Sequence, residues 1–246
     1  MADILAMAAH PDDIELSASG TLLKAHDAGQ SIALCDLTEG ERGTRGSREE
    51  RRRETERANR VLGITAAERW NLRIPDGNIA LNDENILKAV QAIRYFRPRV
   101  LVFSWEHDRH PDHDACHQLV RRACFDAGLT MVRTEYDGEP QQPHRPERMY
   151  CFFHTYERIP DFIVDISDQI ERKLAAVAAY SSQFTVPGFE SDTARNEPRT
   201  FISEASYMES LLGRMRHWGF MIGARYGEAF TTVSGPLKVN DLLGTI

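Results

Sequence analysis

Residues 3–13 read Asp-Ile-Leu-Ala-Met-Ala-Ala-His-Pro-Asp-Asp. A short apolar run is followed at once by an imidazole, a proline and two carboxylates. Such a run predicts a buried strand, and ligands of open parallel sheets bind beyond the carboxyl ends of the strands. This stretch therefore predicts a first strand at 3–8, with His10, Asp12 and Asp13 at the edge where a ligand binds.

Strand and helix patterns alternate through the first 125 residues. This alternation predicts an α/β fold, a Rossmann-like and mostly parallel sheet with helices on both faces and the active site at the carboxyl ends of the strands. No internal repeat interrupts the 246 residues, so we expect one domain over 1–246. The predicted strands are 3–8, 31–37, 68–72, 99–104, 148–153 and 162–166. Four helices are predicted at 47–62, 83–96, 167–181 and 203–223, and two more follow the first and fourth strands and end near 29 and at 125. Long loops are predicted at 137–146 and 186–200.

The composition describes an acidic protein with an ordinary apolar content. A formal net charge of −7 and 41% hydrophobic residues argue against a binder of nucleic acid or of an anionic membrane. Arginines are concentrated at 48–60, but glutamates alternate with them, as on a solvent-exposed helix. No apolar run approaches the roughly 20 residues of a membrane span, the start lacks the basic segment of a signal peptide, and the four cysteines form no CxxC pair. We therefore expect a cytoplasmic protein with no nucleic-acid or membrane partner.

A second polar motif, His110-Pro111-Asp112-His113, follows the predicted fourth strand. Carboxylates also follow the second and third predicted strands, at Asp36 and Asp76. Because the carboxyl ends of parallel strands lie at one edge of a sheet, we expect all of these groups around one crevice.

His10, Asp13 and His113 are the members of these motifs best placed to hold one metal ion. Two imidazoles and one carboxylate leave a coordination position open, as a hydrolytic zinc site requires. Asp12 is then expected beside the metal as general base, with His110 on the opposite side of the substrate. Asp112 is expected to fix the ring tautomer of His110 or His113 through a hydrogen bond.

Other interpretations of these motifs stay open at this point. Either carboxylate of the first motif could cap a helix N-terminus. The same triad suits a non-haem Fe(II) oxygenase, and Cys116 or His117 could lie near the metal. The remaining histidines receive no functional role, namely His26, His107, His144, His154 and His217.

Arg51 is the arginine expected to face the crevice. It shares a helical stripe with Glu54 and Ala58, and its guanidinium could pair with a substrate carboxylate or with sugar hydroxyls. A surface ion pair with Glu54 is the alternative. The glycines at 40, 43 and 46 predict a mobile loop near the site rather than a dinucleotide-binding turn.

Taken together, the motifs resemble those of the PIG-L/LmbE-like zinc N-acetylglucosaminyl deacetylases. The matching stretches are residues 9–15, Arg51-x-x-Glu54 with Ala58 and Leu62-Gly63, Pro75-Asp76, and His110-Pro111-Asp112-His113. Further stretches resemble the bacillithiol-pathway branch of that family, which removes acetyl from N-acetylglucosaminyl-malate. They are residues 108–113, 125–128, 161–167, 182–184 and 226–230.

The resemblance implies roles for individual residues. It implies that Zn²⁺ is bound by His10, Asp13 and His113, and Fe²⁺ could occupy the same site because affinity alone does not select the metal. It also implies Asp12 as general base. His110, supported by Asp112, is implied to stabilise the oxyanion or to act as the acid. The residues expected to contact the substrate are Arg51, Arg109, Asp76 and Arg145.

The resemblance also implies a substrate and an assembly. The expected substrate is a small-molecule aminosugar conjugate that loses acetate, and the expected assembly is a homo-oligomer, a trimer or a hexamer. Rival expectations are a deacetylase of chitin-type oligosaccharides or of another acetylated aminosugar, and a sugar-binding module without catalysis. The malate conjugate calls for cations at the site, whereas a neutral chitobiose calls for aromatic platforms.

Overall fold

A seven-stranded sheet forms the centre of the computed structural model, which describes residues 1–189, 197–233 and 235. Residues 190–196 of the loop predicted at 186–200 lie outside the described part of the chain. The sheet strands are β1 (Ile4–Ala8), β2 (Ile32–Asp36), β3 (Arg69–Asn71), β4 (Val100–Ser104), β7 (Arg148–Phe152), β8 (Phe162–Asp165) and β9 (Gly227–Thr232), while β5 (Glu135–Tyr136) and β6 (Glu139–Pro140) form a separate hairpin.

The strand order is β3-β2-β1-β4-β7-β9-β8, and neighbours from β3 to β7 run parallel. β9 runs antiparallel to both of its neighbours, β7 and β8. The chain therefore leaves β1 toward β2 on one side and reaches β4 on the other. This reversal places a crevice beyond the carboxyl ends of β1 and β4, and the predicted mostly parallel α/β fold is confirmed.

Helices cover both faces of the sheet. Odd-numbered residues of β1, such as Leu5 and Met7, pack in one apolar cluster with α4 (Asp83–Phe96) and α5 (Pro111–Ala127). Even-numbered residues, such as Ala6 and Ala8, pack in another with α2 (Ser19–Asp27) and the end of α3 (Arg48–Leu62). The other helices are α1 (Asp13–Ser17), α6 (Ile170–Ala178) and α7 (Ala205–Met221). Strands with both faces buried explain the continuous apolar runs in the sequence.

The first predicted helix is broken at Ala18 into α1 and α2. The carboxylate of Glu228, on β9, accepts hydrogen bonds from the backbone amides of Gly20 (3.0 Å) and Thr21 (2.7 Å). Lys173 Nζ donates to that carboxylate (2.7 Å) and to the Leu16 carbonyl (2.7 Å) at the end of α1. A buried ion pair thus satisfies the free backbone groups at the break. Glu228, the second residue of β9, also interrupts the apolar pattern of this strand, which is missing from the predicted strands.

No helix within the described residues has the length and apolar character needed to span a membrane. All four cysteines are buried and free.

Candidate active site

A cavity of about 430 Å³ opens beyond the carboxyl ends of β1 to β4. Eight of the ten predicted site residues line it: His10, Asp12, Asp13, Arg51, Asp76, Arg109, His110 and His113. A larger cavity of about 670 Å³ lies elsewhere, against Phe125. Within the described chain, each cluster of three potential metal ligands contains His10 or His113, so the smaller cavity is the candidate site.

The loop after β1 carries the first three site residues in a tight turn. The Asp13 carboxylate accepts a hydrogen bond from the His10 backbone amide (2.8 Å), which folds the carboxylate back toward the imidazole. Asp12 lies between them with a backbone φ of 114°, in the left-handed region that a non-glycine residue rarely adopts. Such strain persists only where neighbouring contacts enforce it, and it is common at active sites.

Asp13 connects the two imidazoles that were predicted as metal ligands. One of its oxygens lies 3.3 Å from His10 Nδ1, and the other lies 3.2 Å from His113 Nε2. Ligand atoms about 2.1 Å from a tetrahedral metal lie about 3.4 Å from one another. Each of the two nitrogens therefore lies at ligand spacing from one Asp13 oxygen. Among the described residues, the sets of three whose ligand atoms all lie within 4.8 Å of one another are His10–His110–His113, Asp13–His113–His154 and His10–Asp76–Asp112.

Carboxylates hold the far nitrogens of both imidazoles. His113 Nδ1 lies 2.9 Å from Asp108, and His10 Nε2 lies 3.1 Å from Asp76 and 3.3 Å from Asp112. In metal sites, a partner of this kind fixes the ring orientation and leaves the other nitrogen free to ligate. With these partners in place, His10 Nδ1 and His113 Nε2 are the nitrogens that face Asp13.

The charges around the two rings favour a cation between them. Burial lowers the pKa of His113, but Asp13 and Asp108 raise it to about 9, and Asp112, Asp13 and Asp76 likewise outweigh burial in raising the pKa of His10. Burial raises the pKa of Asp13, but the imidazoles around it hold the value well below the usual range. Since a metal competes with protons for these atoms, binding is expected to release protons.

Asp12 occupies the N-cap position of α1, but its side chain pairs with Arg51 and does not cap the helix. Its carboxylate accepts a hydrogen bond from Arg51 Nη1 at 2.9 Å, and no side-chain cap bond joins it to α1. Arg51 also donates to the Pro11 carbonyl, so one guanidinium clamps the backbone and the side chain of this strained turn. Burial raises the pKa of Asp12 to about 7 even though Arg51 opposes that rise. A carboxylate with such a pKa is suited to accept a proton near neutral pH.

His110 is held in one neutral tautomer. The backbone N–H of Asp112 donates to His110 Nδ1 at 3.2 Å, so the proton of the neutral ring is on Nε2. Burial and the neighbouring His10 and His113 lower the pKa of His110. The ring is therefore a neutral hydrogen-bond donor in the cavity, which suits one of its two expected roles, oxyanion stabilisation, better than the other, acid catalysis.

Several predicted contacts differ in the structure. The Asp112 carboxylate reaches His10 and not His110 or His113, because the turn into α5 directs it toward the Gly77 amide (2.7 Å). Asp76 lines the cavity, but its two oxygens already accept from His10 and the Arg42 amide. Arg51 turns inward to Asp12, as expected of an arginine that faces the crevice, and the described residues show no ion pair between Arg51 and Glu54, which was the alternative.

Arg145 does not line the site. Its guanidinium lies 5.1 Å from the centre of the Phe125 ring, in the larger cavity. The residue precedes β7 and so lies at the amino end of that strand, on the opposite edge of the parallel sheet. The structure therefore does not bring Arg145 to the cavity in which the other predicted substrate contacts lie. Arg109 is exposed at the cavity rim, with its guanidinium 4.8 Å from the Phe201 ring centre.

Sequence reasoning missed Asp108 and His154. Asp108 holds His113, and His154 stacks on His113 with ring centroids 3.8 Å apart. Burial and the charge of His113 lower the pKa of His154 to about 3. Both residues follow parallel strands, β4 and β7, so the strand-end signal that found the others also applied to them. Phe201 and Tyr207, from the C-terminal half of the chain, also line the cavity.

Comparison with known proteins gives a consistent family. Residues 5–124 match the family model described as PIG-L: GlcNAc-PI de-N-acetylase. The chain is 28% identical over 242 residues to the diacetylchitobiose deacetylase of Thermococcus kodakarensis, covering 94% of this chain and 83% of that protein. It is also 28% identical over 234 residues to the 1D-myo-inositol 2-acetamido-2-deoxy-alpha-D-glucopyranoside deacetylase of Nocardiopsis dassonvillei, covering 79% and 74%.

A solved structure is similar over almost the whole chain. The crystal structure of a conserved protein from Thermus thermophilus superposes with a TM-score of 0.83 and 38% sequence identity, covering 98% of both chains.

Proposed function

The chain belongs to the PIG-L family and is a hydrolase of N-acetyl amides, and from this premise we propose that it deacetylates an N-acetylglucosamine conjugate with a zinc ion held by His10, Asp13 and His113. The observation that carries the proposal is the position of Asp12. A buried carboxylate with a pKa of about 7 is adjacent in the chain to a carboxylate spaced for metal binding. Hydrolysis by a metal site needs both groups, a base and an open metal.

The residues around the cavity divide the reaction among them. A bound zinc ion supplies polarisation of the acetyl carbonyl and greater acidity of a water molecule. Asp12 accepts the proton of the attacking water and returns it to the amine as the C–N bond breaks, so that acetate and a free amine leave. His110 Nε2–H donates to the carbonyl oxygen as negative charge develops on it. Arg51 keeps Asp12 in its strained position.

Zinc is the metal we propose, because two imidazoles and one carboxylate with an open position are a frequent catalytic zinc set. Fe²⁺ remains the alternative occupant, since such ligands do not select one metal by affinity alone. A non-haem oxygenase would leave the buried Asp12–Arg51 pair without a task.

The substrate we propose first is N-acetylglucosaminyl-malate, in bacillithiol biosynthesis. Arg42 and Arg109 both line the cavity, and within the described residues neither guanidinium is in an ion pair, so they can receive carboxylates. A chitin-type oligosaccharide is the alternative, because Phe201 and Tyr207 offer aromatic faces in the same cavity. The diacetylchitobiose deacetylase relative supports this alternative equally.

The remaining proposals concern the whole molecule. We propose one deacetylase domain over 1–246 that assembles as a homo-oligomer, and light scattering at monomer mass would contradict the assembly. Four free and buried cysteines support a cytoplasmic location.

Acetate release tests the proposed function. Purified protein with analysed metal content is offered N-acetylglucosaminyl-malate and diacetylchitobiose in parallel. Acetate release from the malate conjugate alone supports the first proposed substrate. Acetate release from diacetylchitobiose alone supports the proposed mechanism with the alternative substrate. If the metal-loaded protein releases acetate from neither, the proposed substrates are wrong.

Arg51 gives a test of the division of roles. We expect Arg51→Ala to raise the pKa of Asp12, because a cation 2.9 Å from the carboxylate is lost, by about 1–3 units. The base must be ionised, so the acidic limb of the pH profile of kcat/KM should move to higher pH. Arg51→Lys keeps the charge and should move it less. If Arg51→Ala instead raises KM and leaves the acidic limb of the pH profile where it is, the result would support the predicted contact of Arg51 with the substrate.

A further inference from the structure

The short segment at 154–156, directly after β7, contacts His113 in two ways. The His154 ring stacks on the His113 ring with centroids 3.8 Å apart and planes 26° apart. The backbone amides of Thr155 (2.7 Å) and Tyr156 (3.1 Å) donate to one oxygen of Asp108, whose other oxygen lies 2.9 Å from His113 Nδ1. One segment therefore constrains both the plane of His113 and the partner of its nitrogen.

His154 is itself tied to the two elements that carry the metal ligands. Its Nδ1 lies 3.1 Å from Ser17 Oγ, and Ser17 ends the helix that Asp13 begins. Its Nε2 lies 3.0 Å from Ser104 Oγ, and Ser104 ends β4, which leads into the His113 loop. The ring is buried, with 5% of its side chain exposed.

These contacts explain why the position holds a histidine. A neutral imidazole has one donor and one acceptor nitrogen, and each serine hydroxyl can donate or accept, so either tautomer satisfies both bonds. A phenylalanine would provide the same flat face for His113 but would leave both hydroxyls without that partner. An alanine would remove the face as well.

We infer that His154 is a positioning residue that acts through His113, holding the ring at the angle at which His113 and Asp13 share one metal ion. This inference rests on the proposed metal site. It concerns the affinity and geometry of metal binding, which can be measured without any substrate. Partners of metal-ligating histidines commonly change metal affinity by 10–100-fold.

The test compares His154→Ala and His154→Phe with the wild type. Zn²⁺ affinity is measured by competition with a chromophoric chelator, and Co²⁺ replaces zinc so that its absorption spectrum reports ligand geometry. We expect His154→Ala to weaken Zn²⁺ binding by about 10–100-fold and to change the Co²⁺ spectrum. His154→Phe should bind more tightly than His154→Ala, because the stacking face is restored. An equal loss of affinity in both variants would overturn the inference and make His154 itself a ligand, together with Asp13 and His113. At saturating zinc we expect kcat to fall with KM unchanged.

His117→Phe is the matched control. His117 is also a buried histidine, it also bonds to Ser104 (Nδ1 to the carbonyl, 3.0 Å), and it lies beside an aromatic ring, Phe103. Among the contacts recorded for His117, none is to a proposed metal ligand, so His117→Phe should keep wild-type zinc affinity and spectrum. Ser17→Ala and Ser104→Ala each remove one bond of His154 and provide milder variants if the histidine variants fold poorly.

The outcomes separate the inference from the proposed function. The inference is overturned if both His154 variants keep the wild-type Zn²⁺ affinity and Co²⁺ spectrum. If the His154 variants fold poorly, the same result in both serine variants overturns it. If metal binding weakens as expected but the wild type releases no acetate from any acetylated aminosugar, the proposed function is wrong and the inference stands.

Discussion

We expect the Asp12→Asn variant to hydrolyse its substrate about 10²–10⁴-fold more slowly than the wild type at saturating substrate, with unchanged metal content. Asparagine has the same size as aspartate, and it is one of the few residues that tolerate a left-handed backbone, which this position requires at a φ of 114°. Its oxygen can still accept the hydrogen bond of Arg51. The ability to take a proton is the property that is lost. Acetate release and metal analysis on the same sample measure both parts of the prediction.

Asp27→Asn is the control for this substitution. Asp27 is exposed and pairs with Arg172 on the surface, so the same chemical change there should leave turnover at the wild-type level. Near-normal turnover by a metal-loaded Asp12→Asn variant would remove Asp12 from the proton transfer. The base would then have to be sought among the other residues that line the cavity.

The place of the site was predictable because strand ends converge in a parallel sheet. His10 and Asp12 follow β1, Asp76 follows β3 and His113 lies beyond β4, so the strand pattern alone brings them to one edge. The same rule also separates Arg145 from His154. Arg145 precedes β7 and lies at the opposite edge of the sheet, whereas His154 follows β7 and lies in the site. Strand order and loop position together therefore assign His154, and not Arg145, to the edge of the sheet that carries the site.

The choice of hydrogen-bond partners was not predictable from spacing. Asp108 and Asp112 both lie close to His113 in sequence, yet only Asp108 bonds to its ring. The reason is that α5 begins at Pro111, which turns the Asp112 carboxylate away toward His10, while Asp108 lies before the helix and is held by the segment after β7. Such partners depend on where a distant strand ends, which local sequence patterns do not contain.

The pairing of Arg51 with Asp12 shows a second limit of sequence reasoning. The helical stripe correctly places Arg51 on the inner side of α3, where it is 6% exposed. Which carboxylate it meets depends on the left-handed turn at Asp12, and a single sequence does not reveal such strain. Both side chains of the pair are buried, so the loss of either one leaves the other as an uncompensated buried charge.

The second large effect is expected from His113→Ala, which removes one of the three proposed ligands. We expect zinc affinity to fall by more than about 100-fold, beyond the loss caused by a partner of a ligand. Two of the three proposed ligands, His10 and Asp13, then remain, and turnover should fall to background. Treating the wild type with a chelator should have the same effect, and added zinc should restore the wild type but not the variant.

His117→Ala is the matched control, because His117 lies one helical turn further along α5 and is equally buried. Its removal should cost stability in the core but leave zinc bound and turnover close to that of the wild type. Full zinc occupancy in His113→Ala, measured at a metal concentration that just saturates the wild type, would refute the proposed ligand set. The fully buried cluster of Asp13, His113 and His154 would be excluded by the same result, since it too depends on His113. The remaining cluster, which the structure forms from His10, Asp76 and Asp112, would then be the place where the metal binds.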